Sequence, residues 1–552
     1  MLKNKSERGI TLVALVITII IIIILATVTI NMAFGDNGLI TQAQKAKDMT
    51  ANSIAAEQEG MNSVMSEYLN VMAEDSEITP PDIPEEPEFV DVLPTKPSLS
   101  DGMTPVKYVE NTGWVRTTSD DEEWYDYANK EWANVVLGDA SWNGEILNED
   151  ETYSMLVWIP RYAYQITSGY HQSGAEINPS DGTTGAGTIE IVFIDTNNQN
   201  KEKTTTYSTS YPSISGTSMS SYVVHPAFNY GGTALSGFWV GKYETSHTGC
   251  TMTASTGTSN TNVTTLTPMI KAGVTSWRMI QISNIFTVCT NMNANGNPYG
   301  LNTSDNVVDP HMMKNSEWGA VAYLSQNTTY GKESEVWINP NNDYITGQAG
   351  SSVSASSTTS TNAYNTTNGS QASTTGNVTG VYDMSGGAYE YVAAYLNNGN
   401  SYLTTYGSTL VSASDKYKEV YSVGSSDTRV DNYAVSTPAN GKYGDAVYET
   451  SSSSDSPYTN SWNSDYFSFS YTNSPFFIRG GVSGSTSGAG VFSFNGSTGN
   501  SYGSSSFRVA LPVLWCELAS CRRRILQKYI RHGCLSHVLY HIWLIYQTQQ
   551  LM

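Results

Sequence analysis

The chain has 552 residues, of which only 14% are charged, yet its formal net charge is −22. That length supports two or three domains with a well-buried core, and the excess of acid excludes nucleic acid as a partner, because phosphates would be repelled. Five cysteines in so long a chain exclude a disulfide scaffold. Cys250 and Cys289 could pair outside a cell, but two buried thiols is the better reading, since neither sits in a C-x-x-C or beside His at metal-ligand spacing. What remains is uncharged polar chemistry with 36 Tyr and 12 Trp, a balance that suits an extracellular β-rich protein.

Residues 1–9 form a basic leader. Residues 10–30, ITLVALVITIIIIIILATVTI, are an uncharged run. At 1.5 Å per residue they make a helix of roughly 31 Å, one hydrocarbon thickness. Lys3, Lys5 and Arg8 precede it, which puts the N-terminus in the cytoplasm and the remainder outside, as a single-pass protein of the cell membrane. Residues 31–78 read as an outward extension of that helix, with Ile54, Met61, Val64, Met65, Tyr68, Leu69 and Met72 recurring at three- and four-residue spacing. Residues 79–105 are Pro-rich and acidic, the composition of a stiff extended spacer.

A short basic leader ending in Gly, then Ile-Thr-Leu and a long apolar helix, resembles the prepilin-type N-terminus of type IV pilins and pseudopilins. The resemblance implies a prepilin peptidase as partner, cutting after Gly9 and methylating Ile10. The family's fifth mature residue is Glu, which neutralises a neighbouring subunit's terminal amine. Ala14 stands there in this chain, so a buried amine would lack its partner. A plain single-span anchor is the alternative.

From residue 106 the texture changes to short strands, and residues 106–511 read as one domain. Its first part, 106–149, is a hairpin extension. Within it WYDYANKEWANVV is expected to form two aromatic-rich strands around Ala128-Asn129-Lys130. MLVWIPRYAYQI and TIEIVFID are further strands. Residues 196–221 and 351–379 have loop composition. The second has almost nothing to bury and is expected to be a surface loop or locally disordered.

VWIPRY, GFWVGKYETS, KNSEWGAVAYLS, TGVYDMSGGAYEYV and FFIRGG…SFRVAL follow one another in this order. Together they resemble the formylglycine-generating-enzyme (sulfatase-modifying-factor) superfamily, a variant of the C-type lectin fold, over roughly residues 150–511. The resemblance implies an α+β chain: a transmembrane, pilin-like helix followed by a β-rich C-type-lectin-type domain. Tyr389 and Tyr391 replace the family's tryptophans. Asp383, Ser385, Gly386 and Gly387 suit a tight turn requiring φ > 0. Arg479 and Arg508, set among apolar strand residues, are expected to be paired or bonded to carbonyls.

Enzymes of that superfamily use a reactive cysteine pair or a histidine-held iron. Between Met384 and Leu511 there is neither Cys nor His, and His225, His247 and His311 are scattered. The sequence therefore reads as a binding protein, not an enzyme, with no catalytic residues, no metal ligands and no cofactor. A degenerate enzyme of the formylglycine-generating type and a minor pseudopilin with a structural role are the alternatives.

Between FFIRGG and SFRVAL lies a run of Ser, Gly, Thr and Asn interrupted by VFSF. This alternation of fixed and free parts over residues 476–511 resembles the variable proteins of diversity-generating retroelements, in which template adenines are miscopied and the scaffold stays constant. The resemblance implies ligand contacts from Ser483, Ser485, Thr486, Ser497, Thr498, Ser501, Tyr502, Ser504 and Ser505, to an extracellular glycan or protein. Ser, Gly, Asn and Tyr are also the residues that adaptable paratopes favour. An ordinary Ser/Gly-rich lectin loop is the alternative. Residues 512–552, with Arg522–Arg524 and three cysteines, are unlike anything upstream and read as a shifted frame beyond a natural stop.

Overall fold

The computed structural model describes residues 93–138, 145–148, 153–170, 187–211, 219, 221–301, 308–357, 361–436, 442–452 and 461–514. The chain divides into two compact units, Met1–Asp91 and Val92–Met552, and all described residues lie in the second. The leader with Gly9 and Ile10, the apolar run 10–30, the extended helix and most of the tail fall outside them. Among the described residues no helix is long and apolar enough to cross a membrane.

The second unit is mixed, with strands dominating. Three principal sheets use fifteen strands. In chain order these are β1 (Met103–Val109), β2 (Gly113–Arg116), β3 (Asn134–Leu137), β4 (Ser154–Pro160), β5 (Tyr162–Ser168), β6 (Thr188–Phe193), β7 (Val223–Val224), β8 (Gly237–Gly241), β9 (His311–Met312), β10 (Tyr389–Leu396), β11 (Glu419–Tyr421), β12 (Phe476–Gly480), β13 (Gly490–Ser497), β14 (Ser505–Phe507) and β15 (Val509–Leu511). Helix α1 is Ile282–Thr290 and α2 is Asn315–Gln326.

The central sheet is antiparallel throughout, in the order β9-β15-β8-β4-β3-β1-β2. Every residue of β3, β4 and β8 is buried, which is why NVVL, SMLVWIP and GFWVG are near-continuous apolar runs rather than alternating ones. Trp158 and Trp239 meet across the β4–β8 pair with ring centroids 5.2 Å apart. The chain leaves this sheet at Arg161, whose guanidinium donates to the carbonyls of Phe228 and Leu235, and β5 then pairs with β6 and β7.

Helix α2 is buried along eleven of its twelve residues. Its first turn is closed by Glu317, which accepts the Lys314 N–H at 2.9 Å and His311 Nε2 at 2.9 Å, with the Lys314 ammonium 3.4 Å away. Burial alone would raise this carboxyl; the charges of His311 and Lys314 instead hold it down at about 2.

Several sequence expectations change here. The 106–149 segment is no appendage, because β1, β2 and β3 are three of the seven central strands. WYDYANKEWANVV is not a two-stranded hairpin. Asp126 accepts the N–H groups of Ala128 and Asn129, capping a 3₁₀ turn over Tyr127–Asn129, and Lys130 turns left-handed at φ 63°. Only the Asp126–Glu131 bridge survives, and β3 pairs with β1 and β4 instead. The spacer stops short of residue 105: Ser98 is buried, with its carbonyl accepting Trp239 Nε1 at 2.8 Å. At the other end Val513 is buried and bridges to Val308, so folded structure continues just past Leu511.

The 351–379 stretch is a surface loop only in part: residues 351–357 and 365–368 are exposed or half-buried, while residues 372–375 turn inside. Ser373 and Thr374 are wholly buried, and Tyr364 and Ala372 are buried beside them. Thr374 Oγ1 accepts the Val381 N–H at 2.9 Å, the hydroxyls of Ser373 and Thr375 bond each other at 3.0 Å, and Tyr382 donates to the Tyr364 carbonyl at 3.0 Å. Hydroxyls satisfied in this way can be buried without an apolar side chain to drive it. By contrast, residues 201–210 are almost entirely exposed. Cys250 and Cys289 are both free and buried.

Candidate ligand-binding face

The frame beneath residues 476–511 is a five-stranded sheet in the order β11-β10-β12-β13, with β14 added in parallel to β10. VFSF forms the middle of β13, and Val491, Phe492 and Phe494 are buried. The β12–β13 register jumps from Arg479↔Phe494 to Gly480↔Gly490, so residues 491–493 bulge from that ladder, and residues 481–489 form an excursion that connects the two strands beyond it. A second excursion, 498–504, joins β13 to β14.

Two arginines fix this frame. Arg479 is fully buried and donates to the carbonyls of Asp445 and Ala446, each at 3.0 Å, with its guanidinium 5.5 Å from the Trp318 ring centroid. Burial pulls it down to about 10, so it stays charged at neutral pH. Trp318 Nε1 in turn donates to the Val491 carbonyl at 2.7 Å, tying α2 to β13. Arg508 makes a two-armed contact with Glu390 of β10, Nε to Oε2 at 3.0 Å and Nη2 to Oε1 at 2.6 Å. It also donates to the carbonyls of Gly241 on β8 and Tyr382. One side chain thus clamps the five-stranded sheet to the central one.

Beside that clamp, Asp383 sits at φ 60° and Gly386 and Gly387 at 78° and 65°. Asp383 accepts Asn339 Nδ2 at 2.9 Å and the Gly347 N–H at 3.0 Å. Glu244 accepts the Ala388 N–H at 2.7 Å, and a Cβ on Gly387 would stand 2.3 Å from its Oε1. Burial raises both Glu244 and Asp383, and the Arg508 charge opposes the rise. Both arginines and the turn therefore take the structural roles their sequence context implies. Among the described residues no group of three or more His, Cys, Asp or Glu side chains is placed to hold a metal ion.

The nine residues expected to contact a ligand do not share one environment. Ser483, Ser497 and Ser505 are buried, which removes them from any contact surface. The Ser483 N–H donates to the Gly387 carbonyl, Ser497 Oγ bonds the Tyr391 hydroxyl at 2.9 Å, and Ser505 pairs with Tyr389 in β14. Ser485, Thr486, Thr498, Ser501 and Ser504 are half-buried and Tyr502 is exposed. They form two groups. Ser485 and Thr486 lie on the 481–489 excursion, which packs beside Ser357 and Tyr466. Thr498, Ser501, Tyr502 and Ser504 lie on the other, whose base is held by Tyr391 donating to the Asn500 carbonyl at 2.8 Å. The Tyr391 hydroxyl is the group that reaches that loop.

Sequence reasoning missed the segment that lines the second excursion. The Met279 N–H donates to the Tyr502 carbonyl at 2.9 Å, the Ile282 N–H to that of Gly499 at 3.1 Å, and Arg278 Nη1 to that of Gly503 at 2.7 Å. No composition signal marks residues 278–282, because SWRMIQIS reads as ordinary core. No protein-family model matches this chain, and no curated protein matches it.

Proposed function

We propose that the protein is a membrane-anchored, surface-displayed receptor or adhesin whose C-type-lectin-type domain binds an extracellular ligand through the loops between β12 and β14. The observation that carries this reading is the contrast at 498–504. The loop is fixed at its base by Tyr391 and by the 278–282 backbone, while the Tyr502 ring stays 40% exposed at its tip. A rigid frame with an aromatic and small polar side chains held outward is the arrangement of a binding loop. The contact set narrows to Ser485, Thr486, Thr498, Ser501, Tyr502 and Ser504. Binding is non-covalent and needs no cofactor. Anchoring rests on residues 10–30 and the positive charges before them, and processing after Gly9 on the prepilin-like leader.

Retroelement diversification is the mechanism that would vary this face. Deep amplicon sequencing of the DNA encoding Phe476–Leu511 in a natural host population tests it. Expected are substitutions confined to template-adenine positions, with VFSF, RGG and FRVAL untouched. A uniform sequence there would reject diversification and leave a receptor of fixed specificity. Incorporation of the protein into a filament after cleavage at Gly9 would favour a structural pseudopilin instead.

A further inference from the structure

Met279 is an anomaly. It is a long apolar residue at φ 59°, a left-handed conformation that costs an L-residue of this size about 1–2 kcal/mol. Its neighbours Arg278 and Ile280 are buried, yet Met279 turns outward and keeps 40% of its surface in water. The backbone strain therefore does not serve the core. Its sulfur lies 3.8 Å from where a Cβ on Gly503 would stand, beside the Tyr502 loop.

Val263 is the third exposed apolar residue of this neighbourhood, at 39%. It follows Asn262, whose Oδ1 accepts the Gln281 N–H at 3.1 Å and Asn284 Nδ2 at 3.0 Å, so its backbone is tied to the start of α1. Ile282 in the same turn is bonded to Gly499. The exposed Val263, Met279 and Tyr502 and the half-buried Gln281, Thr498 and Ser501 carry no ionisable group apart from the phenol, which bonds Thr498 Oγ1 at 2.9 Å, on a chain of net charge −22. Selection of a partner here rests on uncharged contact.

We infer that Met279 and Val263 are a constant apolar half of the ligand face, set against the Tyr502 loop, and that the ligand is a protein presenting an uncharged apolar side chain to them. The inference rests on the reading of the β12–β14 loops as a ligand face, and it adds an element outside residues 476–511. Met and Val offer a saccharide neither a ring to stack on nor hydrogen bonds for its hydroxyls. A thioether adapts its shape to an inserted apolar side chain, and Tyr is the usual partner of such an anchor.

A phage-displayed library of random peptides panned on the full-length protein tests this. Expected are enriched peptides sharing an aromatic or aliphatic anchor, with affinity at least tenfold weaker for both Tyr502→Ala and Met279→Gly. Leu93→Ser, which removes an exposed leucine elsewhere, should leave affinity unchanged, as should raising salt from about 0.05 to 0.5 M. Met279→Gly deletes the side chain at a φ that glycine favours, so lost binding with an unchanged melting temperature is not misfolding. Peptides that need Tyr502 but ignore Met279 would overturn the inference and leave the ligand face standing. Peptides indifferent to both would overturn both readings. Binding only to neutral glycans on an array, abolished by Tyr502→Ala, would overturn the protein class.

Discussion

Residues 361–379 and 481–505 are both rich in Ser, Thr, Gly and Asn, and the fold buries parts of each by different means. In the first, Ser373 and Thr374 lose all contact with water: the Ser373 hydroxyl bonds that of Thr375 and Thr374 Oγ1 accepts the Val381 N–H, while residues 365–368 stay exposed. The second is buried along residues 490–494 and at Ser483, Ser497 and Ser505, and comes to the surface in the two excursions around them. Apolar content separates the two: Val491, Phe492 and Phe494 drive burial of the second, and the first has no such run. Burial of residues 372–375 instead requires a partner within the protein for each polar group, since an unsatisfied one would make it too costly.

The largest effect should come from the residue that ends the second stretch. Arg508 lies three positions beyond Ser505, and replacing it with Met leaves the buried Glu390 without its counter-charge. The expected cost is about 3–5 kcal/mol, read as a shift in denaturation midpoint. Arg508→Met combined with Glu390→Leu should recover much of that loss, because the buried charge goes with its partner.

Acid should act next, through α2. Glu317 is held at about 2 in the folded protein, below its ordinary value of 4.5. Its stabilising contribution is complete above the unfolded value and is lost as pH falls through the folded one. Denaturation midpoints of wild type and Glu317→Gln should therefore converge between about pH 4.5 and pH 2. A gap that stays constant over that range would mean that the carboxylate is not ionised in the fold.

Thr374→Val sharpens the comparison itself. It keeps the shape of a wholly buried side chain and orphans the Val381 N–H, at an expected cost of about 1–3 kcal/mol. The smallest effects belong to the 498–504 loop. Ser501→Asn and Tyr502→Ser should each move stability by no more than about 0.5 kcal/mol, by thermal melting. A Tyr502→Ser loss as large as that of Thr374→Val would erase the distinction between the two stretches.

What was legible follows the same division. VFSF as a strand, the left-handed turn at Asp383–Gly387 and the carbonyl partners of the two arginines were readable, because apolar runs, glycines and buried guanidiniums carry strong local constraints. Burial of residues 372–375 was not readable, since it depends on hydroxyl pairings such as Ser373 with Thr375 and on backbone brought from Val381. The hairpin expected around Ala128 failed because the Asp126 side chain competes for the local N–H groups and ends pairing after a single bridge. Met279 was invisible for another reason: a positive φ at a bulky residue is imposed by distant bonds, here from Tyr502, and leaves no trace in composition.

The position of β15 between β8 and β9 has a consequence for synthesis. The β8 edge carrying Trp239 stays open until Val509–Leu511 arrives, and nearly all of the domain has by then left the ribosome. Pairing at such long sequence separation is slow, and an open apolar edge is prone to aggregation. Any change within 481–505 is thus made upstream of the strand that closes the fold. A variant in that segment that misplaces Arg508 or β15 leaves the central sheet unsealed between β8 and β9.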